Sequence, residues 1–221
     1  MRKALVEKEK LLRRLEKRFG VNEPIFTNEI MAQWSEYSRA RVFQLIKILC
    51  EDGSLMRKIP GVYYLPKEAF WGGTWSLDTG KIIEKRYLES NGKVIGYYSG
   101  LTLMNKVGLS NQVPFTDDIV TMNETTTVRW VNVGKARVIL RRARIKINEQ
   151  NAPVMQVLEI FNRYNGPLAK YQQDNIIGLV GGKIDPKILT ECAKRFPKRA
   201  LENFKRSGAY DLLVKTSENN P

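Results

Sequence analysis

Between Ser38 and Leu65 the chain changes hydrophobic period, and this change limits the possible folds more than any other feature. From Ser38 to Glu51 the apolar residues recur at helical spacing. With successive residues about 100° apart, Val42, Leu45, Ile46 and Leu49 share one arc, while Arg41, Gln44, Lys47 and Glu51 fall on the opposite one. Asp52-Gly53 stops that helix. Leu55-Met56-Arg57-Lys58 and Val62-Tyr63-Tyr64-Leu65 then read as two short strands around Ile59-Pro60-Gly61, a tight-turn composition. Upstream, a short helix starts at Thr27, which is placed to cap it. Glu29 suits the positive helix start, and Ile30, Met31 and Trp34 form its apolar face. Ser35-Glu36-Tyr37 breaks it. Residues 2–19 predict an amphipathic helix with Leu5, Leu11, Leu12, Leu15 and Phe19 as its stripe and Gly20 as its stop.

Helix, short helix, turn, helix and hairpin is the order of a winged helix-turn-helix. In that arrangement Ser38, Arg39 and Arg41 stand where the third helix meets base edges and phosphates. Gln44 can pair with adenine, and arginine with guanine, through two parallel hydrogen bonds. Arg57 and Lys58 ride on the wing, within reach of flanking phosphates. The competing reading is a solvated polar face on an ordinary core helix. Charge alone leaves that competing reading ahead, and the helix order and the wing favour the first. Across the chain 37 Lys+Arg stand against 23 Asp+Glu, giving +14 and a pI near 9.8, spread evenly along its length. Such basicity in a folded protein points to nucleic acid.

Composition also removes function classes. The chain has no histidine, so Ser-His-Asp and Cys-His nucleophiles and imidazole metal ligands are excluded. Its two cysteines, Cys50 and Cys192, are too far apart for a Cys-x-x-Cys site and are expected to be reduced core residues. No catalytic residue, metal ligand or cofactor is expected. No apolar run approaches the ~18 residues that span a bilayer, and no signal-type apolar segment follows the N-terminus, so a cytoplasmic protein without membrane contact is expected.

The expected fold class is α+β: a winged helix-turn-helix over residues 1–68, a Gly- and Trp-rich linker over 69–78, and a mixed α/β domain over 79–221 with a small sheet and C-terminal helices. In the latter, a helix around Gly80–Ser90 meets the Asn91-Gly92 turn, Val94–Tyr98 is extended, and Gly100–Val107 is helical. After Pro114 the period becomes two, predicting strands at Asp118–Met122, Thr126–Val133 and Ala136–Ile147. Ala152–Tyr164, Asp185–Arg195 and Pro197–Lys205 predict helices, and the tail after Lys215 is expected to fray. Arg142, Arg144 and Lys146 would share a strand face, with Arg137 and Arg141 nearby. This is a secondary basic surface, or equally an exposed face that discourages edge pairing. Gly178-Leu179-Val180-Gly181-Gly182-Lys183 lacks phosphate-loop spacing and reads as a turn between helices. Asp117-Asp118 lacks further clustered carboxylates and reads as a strand-entry turn.

Two stretches resemble a known family. Gly61-Val62-Tyr63-Tyr64-Leu65-Pro66 follows the hairpin. Tyr98-Ser99-Gly100-Leu101-Thr102-Leu103-Met104-Asn105-Lys106-Val107-Gly108-Leu109-Ser110-Asn111-Gln112-Val113-Pro114 comes some thirty residues later. Together, over roughly residues 20–165, they resemble the AbiEi-type antitoxins of bacterial type IV toxin–antitoxin systems. The second stretch is the more specific, and it also reads as a strand–helix–turn scaffold. The resemblance implies a winged-helix DNA-binding domain and a C-terminal antitoxin domain. It implies repression of the protein's own operon and neutralisation of a nucleotidyltransferase toxin, without catalysis. By the same resemblance the DNA-contacting residues are Ser38, Arg39, Arg41, Gln44, Lys47, Arg57 and Lys58, acting on operator repeats in double-stranded DNA. Without a long heptad zipper, a monomer that cooperates on DNA is expected. Two other classes remain open: a tandem winged-helix protein such as a plasmid replication initiator, with its second winged helix over 80–147, and a metal-dependent nuclease using Asp117 and Asp118. Ile48 intrudes on the polar arc of the third helix, leaving open whether another helix packs there.

Overall fold

A computed structural model describes residues 2–70 and 72–214, with side chains from Glu7 onward. The side chains of Arg2, Lys3 and Leu5, Trp71 of the expected linker, and the tail from Lys215 lie outside the described residues. The fold is α+β, and the chain divides into two compact units, Met1–Ile83 and Glu84–Pro221.

The first unit begins with α1 (Arg2–Phe19), which stops at Gly20, a left-handed residue whose N–H reaches the Glu16 carbonyl at 2.8 Å. Then come β1 (Ile25–Phe26), α2 (Thr27–Gln33), α3 (Arg39–Glu51), β2 (Met56–Ile59) and β3 (Val62–Tyr64). The strands form an antiparallel sheet in the order β1-β3-β2. Leu11 and Leu15 of α1, Ile30 and Trp34 around α2, and Val42, Leu45, Ile46 and Leu49 of α3 form one buried core with Ile25, Leu55 and Tyr63. Thr27 is the first residue of α2 rather than its cap. The turn is instead closed by the Glu29 carboxylate, which accepts from the Phe26 N–H at 2.8 Å. Residues 69–78, expected to be a linker, fall within this unit. Most of them lie around a hairpin of β4 (Lys67–Glu68) and β5 (Thr74–Trp75), with Phe70 wholly exposed, and α4 (Thr79–Ile83) follows.

The second unit opens with a π-helical turn (Glu84–Leu88). The hairpin β6 (Glu89–Ser90)–β7 (Lys93–Val94) follows, with Asn91 and Gly92 both at positive φ as a two-residue turn requires. Its main sheet has the order β10-β11-β9-β8, from β8 (Gly96–Tyr98), β9 (Thr116–Thr121), β10 (Val128–Val133) and β11 (Ala136–Arg142). β9 and β11 run parallel and the other pairs antiparallel. Five helices close the unit: α6 (Ala152–Arg163), α7 (Lys170–Val180), α8 (Pro186–Ala193), α9 (Lys198–Arg206) and α10 (Ala209–Leu213). α6 is its axis. Val154, Val157, Leu158, Ile160 and Phe161 are buried, and Phe161 stacks on Phe204 of α9 at 5.1 Å.

The stretch from Ser99 to Pro114 is a scaffold. Ser99 precedes α5 (Gly100–Lys106), and the Thr102 hydroxyl both donates to the Thr116 carbonyl (3.2 Å) and accepts from the Asp118 N–H (3.0 Å). The Asn105 amide donates to the carbonyls of Ser110 and Gln112 at 3.1 Å, folding the loop after the helix. Gly100 has φ +55°, and a Cβ there would lie 2.4 Å from the Asp118 carboxylate.

Four further expectations change. β11 ends at Arg142 instead of continuing to Ile147, because its parallel partner β9 ends opposite it at Thr121. Residues 143–147 keep an alternation of exposure without a strand ladder, with Ile147 buried. Asp117 and Asp118 lie inside β9 rather than at its entry. Gly178, Leu179 and Val180 belong to α7, which stops at the left-handed Gly181, so the turn is confined to Gly181-Gly182-Lys183. Residues 84–147 fold around a mixed sheet with a parallel pair, an order unlike the second winged helix of the tandem alternative.

Two outcomes are expected here. Gly100→Ala should destabilise the second unit by about 1–3 kcal/mol in urea titration, because the left-handed backbone and the Asp118 carboxylate both resist a Cβ. The second concerns Glu124, which is buried in the β9–β10 turn. Burial pushes its carboxyl up. Donors from the Thr126 N–H and hydroxyl, the Arg129 guanidinium and the Thr125 N–H outweigh burial and hold it at about 2. A pKa depressed in the folded state adds stability above the unfolded value near 4.5 and loses it as pH falls toward 2. Stability should fall across that window, and Glu124→Gln should flatten that part of the stability–pH curve.

Candidate nucleic-acid interface

The polar side of α3 is defined by what its other side buries. With Val42, Leu45, Ile46 and Leu49 in the core, Gln44, Lys47 and Glu51 face solvent, and Phe43 and Ile48 flank them, also exposed. Among the described residues, no further helix covers Ile48. Ser38 caps the helix: its hydroxyl accepts from the Arg41 N–H at 3.3 Å. Arg39 is exposed, its guanidinium 5.8 Å from the Phe43 ring centre. Lys47 pairs one turn along with Glu51 at 3.7 Å, a solvent-facing contact of little energetic weight.

Arg41 is placed differently from the rest. It is half-buried at the edge of the polar arc and donates to Glu7 of α1 at 3.4 Å. The same carboxylate accepts from the Tyr37 hydroxyl and raises its pKa. Arg14, also on α1, donates to the Gln33 carbonyl at 3.2 Å and pairs with Glu36. Lys8 pairs with Asp52, the residue that ends α3, at 2.5 Å. Charged residues of α1 therefore brace the α2–α3 turn and both ends of α3. Sequence alone did not reveal this role, since each partner lies nineteen or more residues away.

The hairpin is tight and anchored. Thr27 donates to the Gly61 carbonyl through both its N–H (3.1 Å) and its hydroxyl (3.2 Å), tying the turn to the start of α2. Gly61 takes φ +78°, as this turn demands. Arg57 is exposed on β2. Lys58 lies where the β2–β3 register shifts, and its ammonium donates to the Ser76 hydroxyl at 2.8 Å. Of the seven residues expected to contact DNA, Ser38, Arg39, Gln44, Lys47 and Arg57 are exposed. Ser38 is a cap, and Arg41 and Lys58 are partly committed within the unit.

The secondary basic surface does not form one strand face. Arg137 and Arg141 share a face of β11, and Arg142 lies on the other. Arg141 donates twice to Asp118, at 2.8 and 2.9 Å. Arg144 lies beyond the strand, donating to the Arg195 carbonyl at 2.8 Å with its guanidinium 4.7 Å from the Phe196 ring centre. Lys146 is exposed in the irregular stretch that follows. Asp118, half of the pair considered for metal, is thus held by Arg141, and the described residues contain no group of three His, Cys, Asp or Glu able to hold a metal ion. Cys50 and Cys192 are free thiols, and burial pushes Cys192 up to about 11. Among the described residues, no helix is long and apolar enough to cross a membrane.

No protein-family model matches the chain, and no curated protein matches it.

A double-mutant cycle tests the brace. Arg41→Ala and Glu7→Gln should each cost about 0.5–1 kcal/mol in urea titration, and the double variant should cost clearly less than their sum.

Proposed function

We propose that the first unit is a winged helix-turn-helix that binds double-stranded DNA, with α3 as the helix that reads the groove. One observation carries the reading. The face of α3 that escapes the core presents Arg39, Gln44 and Lys47, the side-chain types that recognise base edges and phosphates, and the β2–β3 hairpin adds Arg57. The element order α1, β1, α2, α3, β2, β3 supports it, as does the net charge of +14. Arg41 acts in this reading as a brace for α3, and Lys58 as a tie to Ser76.

In keeping with the resemblance of residues 61–66 and 98–114 to AbiEi-type antitoxins, we propose that the protein represses its own operon and counters a nucleotidyltransferase toxin, with no catalytic step of its own. Its site of action is the cytoplasm, and it binds operator repeats as a cooperating monomer. The second unit is the antitoxin domain in this reading.

Selection from randomised duplexes followed by gel shift tests the DNA reading. Gln44→Ala should weaken binding to the selected site by about 1–3 kcal/mol and relax sequence preference. Arg57→Ala should weaken binding evenly across sequences and reduce the salt slope by about one charge. A chain that shows no salt-dependent duplex binding overturns the reading. The antitoxin half is checked by co-expression with a nucleotidyltransferase encoded beside the gene, which should relieve its growth arrest.

A further inference from the structure

A cleft of about 360 Å³ opens in the second unit, between the end of β11, the β8–β9 pair and α6. That volume lies at the lower end of small-molecule sites. Tyr97, Thr127, Arg141, Arg142, Arg144 and Glu159 line it.

Glu159 is its most unusual member. It comes from α6 and is only 6% exposed, yet its side chain reaches the wall of the cleft. Burial raises the pKa of this group, while the nearby guanidiniums of Arg144, Arg163 and Arg141 act in the opposite direction. A carboxylate at the wall of a cleft is an acceptor for an N–H or O–H that a bound molecule supplies. The Tyr97 hydroxyl shares this environment: burial first, and then the charge of Glu159, push its pKa up.

The opposite requirement comes from the arginines. The forked pair with Asp118 fixes the Arg141 guanidinium and balances its charge. Arg144 is oriented by the Arg195 carbonyl and the Phe196 ring. Arg142 is exposed at the cleft, and among the described residues its guanidinium makes only a long 3.5 Å contact with the Thr125 carbonyl. Arg142 and Arg144 thus outweigh Glu159 in charge. Their forked donors match the terminal oxygens of a phosphate, and two guanidiniums balance its double charge.

We propose that this cleft binds a small phosphate monoester whose body carries N–H or O–H donors, with the phosphate at Arg142 and Arg144 and the donors at Glu159 and Tyr97. Nucleoside monophosphates and sugar phosphates share that chemistry. The site is independent of the DNA reading of the first unit.

Isothermal titration of the full chain tests it with the four ribonucleoside monophosphates, ribose 5-phosphate, the four ribonucleosides, ribose and inorganic phosphate. At least one ester should bind, and its unphosphorylated counterpart and inorganic phosphate should bind about tenfold more weakly or less. The class of ester that binds identifies the source. Arg142→Ala and Glu159→Gln should each weaken binding about tenfold with the thermal melt unchanged. Arg142 is exposed, so its variant keeps the test open if Glu159→Gln perturbs the fold. The proposal is overturned if no ester binds at millimolar concentration, if inorganic phosphate binds as tightly as the esters, or if Arg142→Ala leaves binding unchanged.

Discussion

Val42, Leu45, Ile46 and Leu49 are buried together against α1, α2 and the small sheet, and that packing decides everything the first unit presents to solvent. Each such side chain contributes about 2 kcal/mol through its removal from water, enough to fix the rotation of α3 about its axis. Once that rotation is fixed, Gln44 and Lys47 have nowhere to point but outward, and Arg41 is turned toward Glu7. The tie between Thr27 and Gly61 does for the hairpin what the core does for α3. The candidate interface is therefore a consequence of apolar packing, with the charges placed by it.

This also changes the meaning of the net charge. Arg14, Arg41, Arg129 and Arg141 each stand against a carboxylate of their own unit, so a count of basic residues overstates what is available to a polyanion. Arg39, Lys47 and Arg57 are exposed on the α3–hairpin side. In the second unit the arginines near the end of β11 divide between a braced pair, a ring contact and an open cleft. There they act as parts of a local site rather than as one continuous basic face.

Legibility in the sequence followed the range of the forces involved. α3 and the hairpin were readable because their apolar periods and turn residues are local signals. The strand expected over 142–147 does not form, although Arg142, Ala143, Arg144, Ile145, Lys146 and Ile147 alternate as a strand does, because a strand needs a partner and β9 stops at Thr121. α7 is not legible in the sequence because Tyr171-Gln172-Gln173-Asp174-Asn175 is polar, Gly178 interrupts the pattern, and only Ile176 is buried. Glu159 gave no signal at all. It sits in a helix whose apolar residues were legible, but nothing local marks a carboxylate as buried when the sheet and arginines around it come from distant segments. The α1 brace, through Glu7 and Arg14, was hidden for the same reason.

The most direct measurement of the proposed interface is hydrogen–deuterium exchange of the full chain with and without a duplex containing its selected site. Peptides covering residues 38–51 and 55–65 should gain protection on DNA addition, and should lose that gain in high salt. DNA-dependent protection confined to the second unit, with residues 38–65 unchanged, would contradict the assignment of α3 and its hairpin as the reading surface.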